Sequence, residues 1–161
     1  MNIEQIDDIL YSPEINSYNR LDAFIIECRG AKGKKYWYGL KSALIASDNP
    51  YERRSVLKKL INKDEPHKDS LMTESDKDYL KKLPNKITIY RGMSVEELES
   101  GDFGLSWTLK KEVAEFFAYS YIRNHSTSKH KTTVYSLTID KKDIIAFFND
   151  RTEHEILYMV D

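Results

Sequence analysis

The hydrophobic period changes at Pro84-Asn85, and that change limits the possible folds more than any other feature of the chain. Upstream, apolar residues recur at three- and four-residue steps. The sets are Ile3, Ile6, Ile9 and Leu10; Leu21, Phe24 and Ile25; Leu40, Ala43 and Leu44; and Val56, Leu57, Leu60 and Ile61. These are helical stripes. Downstream the step is two. Lys86 to Gly92 places Ile87, Ile89 and Arg91 on one face, and Thr132 to Asp140 alternates more clearly than any other stretch. A helical half, residues 1–84, followed by a β-rich half, residues 85–161, predicts an α+β protein. The expected architecture is one domain: a helical N-terminal lobe packed on a split, mainly antiparallel β-core.

Capping chemistry sets the expected element ends. Asn2 with Gln5 opens a first helix, which Pro13 ends. Asp48-Asn49-Pro50 signals the start of a fourth, and Thr73 caps a short helix before Leu83-Pro84. Ser94-Val95-Glu96-Glu97 reads as a capping box. The segment Phe103 to Thr108 reads as a short strand with Ser106 and Thr108 on one face and Trp107 on the other. Behind it, Val113, Phe116, Phe117, Ser120 and Tyr121 form an amphipathic stripe, while Ala114 and Ala118 permit close packing. Asn124 to Lys131, with His125 and His130, is a polar loop.

Charge and cysteine content narrow the function classes. The 25 basic and 26 acidic residues nearly cancel, so net charge points to neither a nucleic-acid nor a membrane partner. Cys28 is the single cysteine and lies in an apolar run. It reads as a buried structural thiol, since no helix start or neighbouring histidine is there to activate it. No histidine has metal-ligand spacing; His67 stands alone in a polar loop. No stretch has membrane length and no charged-then-apolar leader opens the chain, so a cytoplasmic protein is expected.

Two positions resist a purely structural reading. Arg91 closes the apolar face of its strand and Gly92 follows it. A planar guanidinium there suits a bidentate grip on phosphate or carboxylate, or an ordinary strand-end salt bridge. The alternation from Glu153 to Asp161 puts Glu153, Glu155, Leu157 and Met159 on one strand face. The two carboxylates would then stand about 6.5 to 7 Å apart. Like charges on one strand face repel, so the pair is either a solvated strand end or a functional one.

Taken in order, Tyr90-Arg91-Gly92, Ser106-Trp107-Thr108, the Ala114-Glu115-Phe116-Phe117-Ala118 helix and Glu153-His154-Glu155 resemble the arginine–serine–glutamate class of mono-ADP-ribosyltransferases. That class includes the binary clostridial and cholera-group toxins and the phage ribosyltransferases. The resemblance covers residues 86–161 and implies an ADP-ribosyltransferase-like fold with the helical lobe over a nucleotide cleft. It implies NAD as substrate and no metal. Arg91 resembles the arginine that grips the NAD phosphates, and Gly92 the residue whose backbone meets the carboxamide. Ser106 is similar to the serine that orients the catalytic glutamate, and Thr108 stands at the third position of that motif. Glu155 resembles the catalytic glutamate, and Glu153 the upstream acid that goes with an arginine acceptor. Trp107 departs from the usual small middle residue. The stretch 143–152 matches the substrate-recognition turn, in which Phe147 or Phe148 either touches the target protein or belongs to the core.

The expected partner is therefore a host protein modified on arginine, and the lack of a delivery segment suits a phage or mobile-element effector in the host cytoplasm. Two rival expectations remain: an NAD glycohydrolase or a transferase to another residue or a nucleic acid, and an inactive binding protein that retains the fold.

Overall fold

A computed structural model of the chain describes residues 1–48, 50–120 and 131–161. Tyr121, His125 and His130, assigned above to a helix stripe and a polar loop, lie outside the described residues. The chain divides into two compact units, Met1–Leu71 and Met72–Asp161. The boundary falls before the fifth helix, Glu74–Lys82, which the sequence reading places in the helical half. That helix packs instead with the sheet unit, where its Tyr79 ring stacks on Phe147 with centroids 4.5 Å apart.

The first unit holds α1 (Ile3–Leu10), α2 (Arg20–Glu27), α3 (Lys34–Ile45) and α4 (Arg54–Ile61). Asn2 and Gln5 form the expected capping box at α1. Helix α4 begins at Arg54 without a side-chain cap, after a turn through Tyr51, rather than at Pro50. Trp37, Leu40, Ala43 and Leu44 of α3 are buried with Ile6, Leu10, Leu21 and Phe24. Trp37 is thus a core residue whose indole N–H donates to the Pro66 carbonyl at 2.9 Å. Cys28 is buried here too, and burial with the neighbouring Glu27 charge pushes its thiol pKa up. That is the behaviour of an inert core thiol.

The second unit is built on one antiparallel sheet. Its strands are β1 (Lys86–Ser94), β2 (Ser106–Thr108), β3 (Thr132–Asp140), β4 (Ala146–Phe148) and β5 (Glu155–Leu157), in the order β3-β1-β2-β5-β4. Besides α5 (Glu74–Lys82), it carries α6 (Val95–Ser100) and α7 (Lys111–Glu115), the last continued by a π-helical turn, Phe116–Ser120. Among the described residues the protein is thus a mixed α+β chain with seven α-helices and a five-stranded sheet.

The expected split of the β-core is not seen as such among the described residues, where the strands form one sheet. A narrow junction takes its place. β1 and β3 pair over nine residues, whereas β1 and β2 share only the pair Tyr90↔Thr108. Register then assigns the faces. Ile87, Ile89, Met93, Trp107, Ile139, Phe147 and Ile156 line one core together. Tyr90, Thr108, Glu155 and Phe148 form a row on the other face. Trp107 points away from Ser106 and Thr108, as the alternation predicts.

Gly92 faces α7 at close range. A Cβ there would collide with the Ala114 carbonyl and come within 2.7 Å of the Ala118 nitrogen. The alanines and the glycine together let helix and strand approach, and nothing larger fits. Substituting Gly92→Ala should therefore cost about 1 to 3 kcal/mol through overpacking. Thermal unfolding should show this as a fall of about 2 to 4 °C per kcal/mol; an unchanged melting temperature would mean that the strand and helix are not in contact.

Candidate active site

Ser106 lies at the centre of the candidate site because two of its polar groups are used at once. Its hydroxyl donates to the Glu155 carboxylate. Its main-chain carbonyl accepts from the Arg91 guanidinium at 2.8 Å. Two residues along β2, the Thr108 hydroxyl donates to the Glu153 carbonyl at 2.6 Å and accepts the Lys110 N–H at 3.1 Å. The antiparallel pairing of β2 with β5 makes these contacts possible, since Thr108 stands opposite Glu155. The sheet thus brings Arg91, Ser106, Thr108, Glu153 and Glu155 to one junction.

It does not arrange them as the sequence suggested in every respect. Arg91 leaves β1 on the core-lining side with Ile87, Ile89 and Met93, the side opposite Glu155 by register. Ser106 joins it to the acid, since the serine carbonyl accepts from Arg91 and the serine hydroxyl donates to Glu155. Its main partner is Glu97, a residue that sequence reasoning missed. Arg91 Nε donates to Glu97 Oε1 at 2.7 Å and Nη2 to Oε2 at 3.2 Å. The Gly104 N–H also donates to Glu97 Oε1, at 2.9 Å. The pair is well inside the protein, with side-chain exposures of 14% and 3%. Only the first half of the predicted capping box forms: the Glu97 N–H donates to Ser94 Oγ at 3.1 Å, while the Glu97 carboxylate turns to the arginine.

Glu153 is not on the strand, which begins at Glu155. Thr152 and His154 have φ of +56° and +48°, a left-handed backbone that breaks the alternation before β5. Asn149 fastens the turn: its carbonyl accepts Thr152 N–H at 3.1 Å and its side chain accepts His154 N–H at 3.3 Å. The His154 ring packs edge-on to Tyr79 and Phe147, with centroids 5.4 and 6.0 Å away. Positive φ at non-glycine residues costs of order 1 kcal/mol or more each and concentrates at functional sites. The strand-rise spacing of the two carboxylates therefore does not apply. Glu153 projects from a turn, 4.0 Å from Arg151.

Phe147 and Phe148 are not available to a target protein. They are 1% and 2% exposed on β4, paired with β5. The exposed residues of that stretch are Asp143 and Asn149 to Thr152. Gly92, matched above to the carboxamide-binding position, is occupied in packing α7.

Burial pushes the Glu155 carboxyl pKa up from its ordinary 4.5, with Glu153 and Asp150 adding to the rise; the Ser106 hydroxyl and Arg151 oppose it. An acid of this kind has a raised proton affinity and a hydroxyl that fixes its direction. Among the described residues no group of three or more His, Cys, Asp and Glu side chains is placed to hold a metal ion. No helix among them is long and apolar enough to cross a membrane. No family model, curated protein or solved structure matches the chain.

The raised value fixes a sign for stability. The folded state holds the Glu155 proton more tightly than the unfolded chain, so its contribution is complete below 4.5 and is lost as pH rises through the folded value. Above pH 4.5 the unfolded chain gives up this proton more readily than the folded one, so the acid costs stability there. Glu155→Gln, which still accepts the Ser106 hydroxyl, should melt higher than the parent at pH 7, and the gap should close below pH 4.5. Equal melting curves at both pH values would show that the carboxylate is solvated.

Proposed function

We propose that this chain transfers ADP-ribose from NAD to a protein side chain, with arginine as the acceptor, and that its sheet unit has the fold of the mono-ADP-ribosyltransferases it resembles. The single observation that carries the reading is the Ser106–Glu155 hydrogen bond on adjacent strands. It places an oriented, partly desolvated carboxylate on the sheet face opposite the core.

The chemistry follows from that group. The bond from ribose C1′ to the nicotinamide nitrogen breaks, and its electron pair neutralises the pyridinium, which leaves. Positive charge develops on the ribose, as in glycoside hydrolysis. Glu155 stabilises that charge and accepts from the ribose 2′-hydroxyl, while Ser106 keeps it from rotating away. An acceptor guanidine nitrogen then bonds to C1′ and loses a proton. Glu153, at the exposed turn, receives it. No activated nucleophile of the enzyme is needed, which agrees with the inert Cys28.

The position of Glu153 off the strand gives a second reading some support. Hydrolysis of NAD by water needs Glu155 and Ser106 alone, so a glycohydrolase would tolerate this turn geometry.

Incubation with NAD and a cell lysate, read by mass spectrometry, should yield protein carrying ADP-ribose together with free nicotinamide. Glu155→Gln should lower nicotinamide release by about a hundredfold or more, the loss typical of one preorganised group at a developing charge. Glu153→Gln should abolish transfer to arginine and spare hydrolysis. Free nicotinamide without modified protein would favour the glycohydrolase, and neither product would remove the proposal.

A further inference from the structure

We infer that Glu97 is a positioning residue for the Glu155 acid, acting through the Arg91 guanidinium and the main chain of Ser106. The inference rests on the reading of Ser106 and Glu155 as the reacting face. It changes what Arg91 does. The resemblance gives Arg91 to the NAD phosphates, whereas its charge here is compensated within the protein.

β2 is three residues long, and β1 grips it through the single pair Tyr90↔Thr108. Past that pair the two strands part, and the Ser106 carbonyl would face the gap without a strand partner. Arg91 fills this place and donates to that carbonyl at 2.8 Å. A guanidinium can hold such a position away from water only when a carboxylate matches its fork. Glu97 supplies both oxygens, at 2.7 and 3.2 Å.

Two further features fix the pair. Glu97 is anchored in the first turn of α6 by its N–H bond to Ser94 Oγ. Gly104 donates to the same carboxylate, and a Cβ at Gly104 would strike the guanidinium, coming within 2.7 Å of its central carbon. The arginine is therefore held from two sides and has little room to swing. Its remaining function is mechanical, to keep Ser106 where its hydroxyl meets Glu155. If the bridge is lost, β2 is free to shift, and displacements of about 1 Å at a reacting group cost on the order of a hundredfold in rate.

Two variants test this in the full chain. Glu97→Gln keeps the side-chain size and removes the compensating charge. The double variant Arg91→Met with Glu97→Met replaces the whole pair by apolar side chains, a change that buried pairs commonly tolerate without loss of stability. In each, the kcat for nicotinamide release should fall by about tenfold to a hundredfold with KM for NAD nearly unchanged, the pattern of a group misplaced in the transition state. The Glu155 carboxyl, followed by carbon NMR, should titrate at higher pH than in the parent, because the Ser106 hydroxyl no longer opposes its protonation.

Should the parent release no nicotinamide, the reaction proposal fails, and the titration alone still decides the role of Glu97. If Glu97→Gln does not fold, the double variant carries the test. A rise in KM with kcat unchanged would return Arg91 to phosphate binding and overturn the inference. A lower melting temperature with the Glu155 titration unmoved would make Glu97 purely structural, and overturn it as well. Loss of folding in both variants would do the same, since the pair would then be a requirement of the fold itself.

Discussion

The sheet unit depends on how a three-residue strand is held in place. β2 is paired fully with β5 but touches β1 at one residue pair, so backbone hydrogen bonding alone leaves its Ser106 end loose on one side. The Arg91–Glu97 pair supplies the missing grip. An isolated charge in that position would be too costly to desolvate, and an isolated carboxylate equally so. Together, with three N–H groups aimed at one carboxylate, they are satisfied. The serine between them and Glu155 then connects a structural ion pair on one side of the sheet to a titratable acid on the other.

The approach to β5 shows a second balance. The turn from Asn149 to His154 includes two residues in left-handed conformation, which L-residues with a Cβ adopt at a cost. What offsets it is local. The Asn149 side chain and carbonyl hold the turn, and the stacked Tyr79 and Phe147 rings receive the His154 imidazole. The aromatic contacts draw α5 into the sheet unit, which explains why a helix grouped by its sequence period with the first half packs with the second.

Much of this was readable from residue pattern alone, and the failures have identifiable causes. Asn2 with Gln5 and the Thr73 cap appear as expected, because capping partners are local; Asp76, which completes the box at Thr73, was not anticipated. β3 spans Thr132–Asp140, as its alternation predicts. The Ser106–Glu155 contact was anticipated from the resemblance. Glu97 was missed because a capping box and a buried ion pair require the same residue at the same place. Only the nearness of Arg91 decides between them. Glu153 was misplaced because alternation records spacing and carries no information on the sign of φ; neither Thr152 nor His154 announces a left-handed turn as glycine would. Phe147 and Phe148 were ambiguous because adjacent residues on a strand face opposite ways, and both are buried only where both sheet faces are covered.

The strand order carries one more consequence. β5 lies between β2 and β4, yet it follows all the other described strands in the chain. During synthesis, a polypeptide leaving the ribosome exposes its earlier segments first. Among the described strands β4 neighbours β5 alone, so that pairing, and the seat for the carboxylate, waits until Glu155–Leu157 has emerged. A chain that stops short of Glu155 is thus incapable of the proposed chemistry, and the acid joins the sheet after every other described strand has been made.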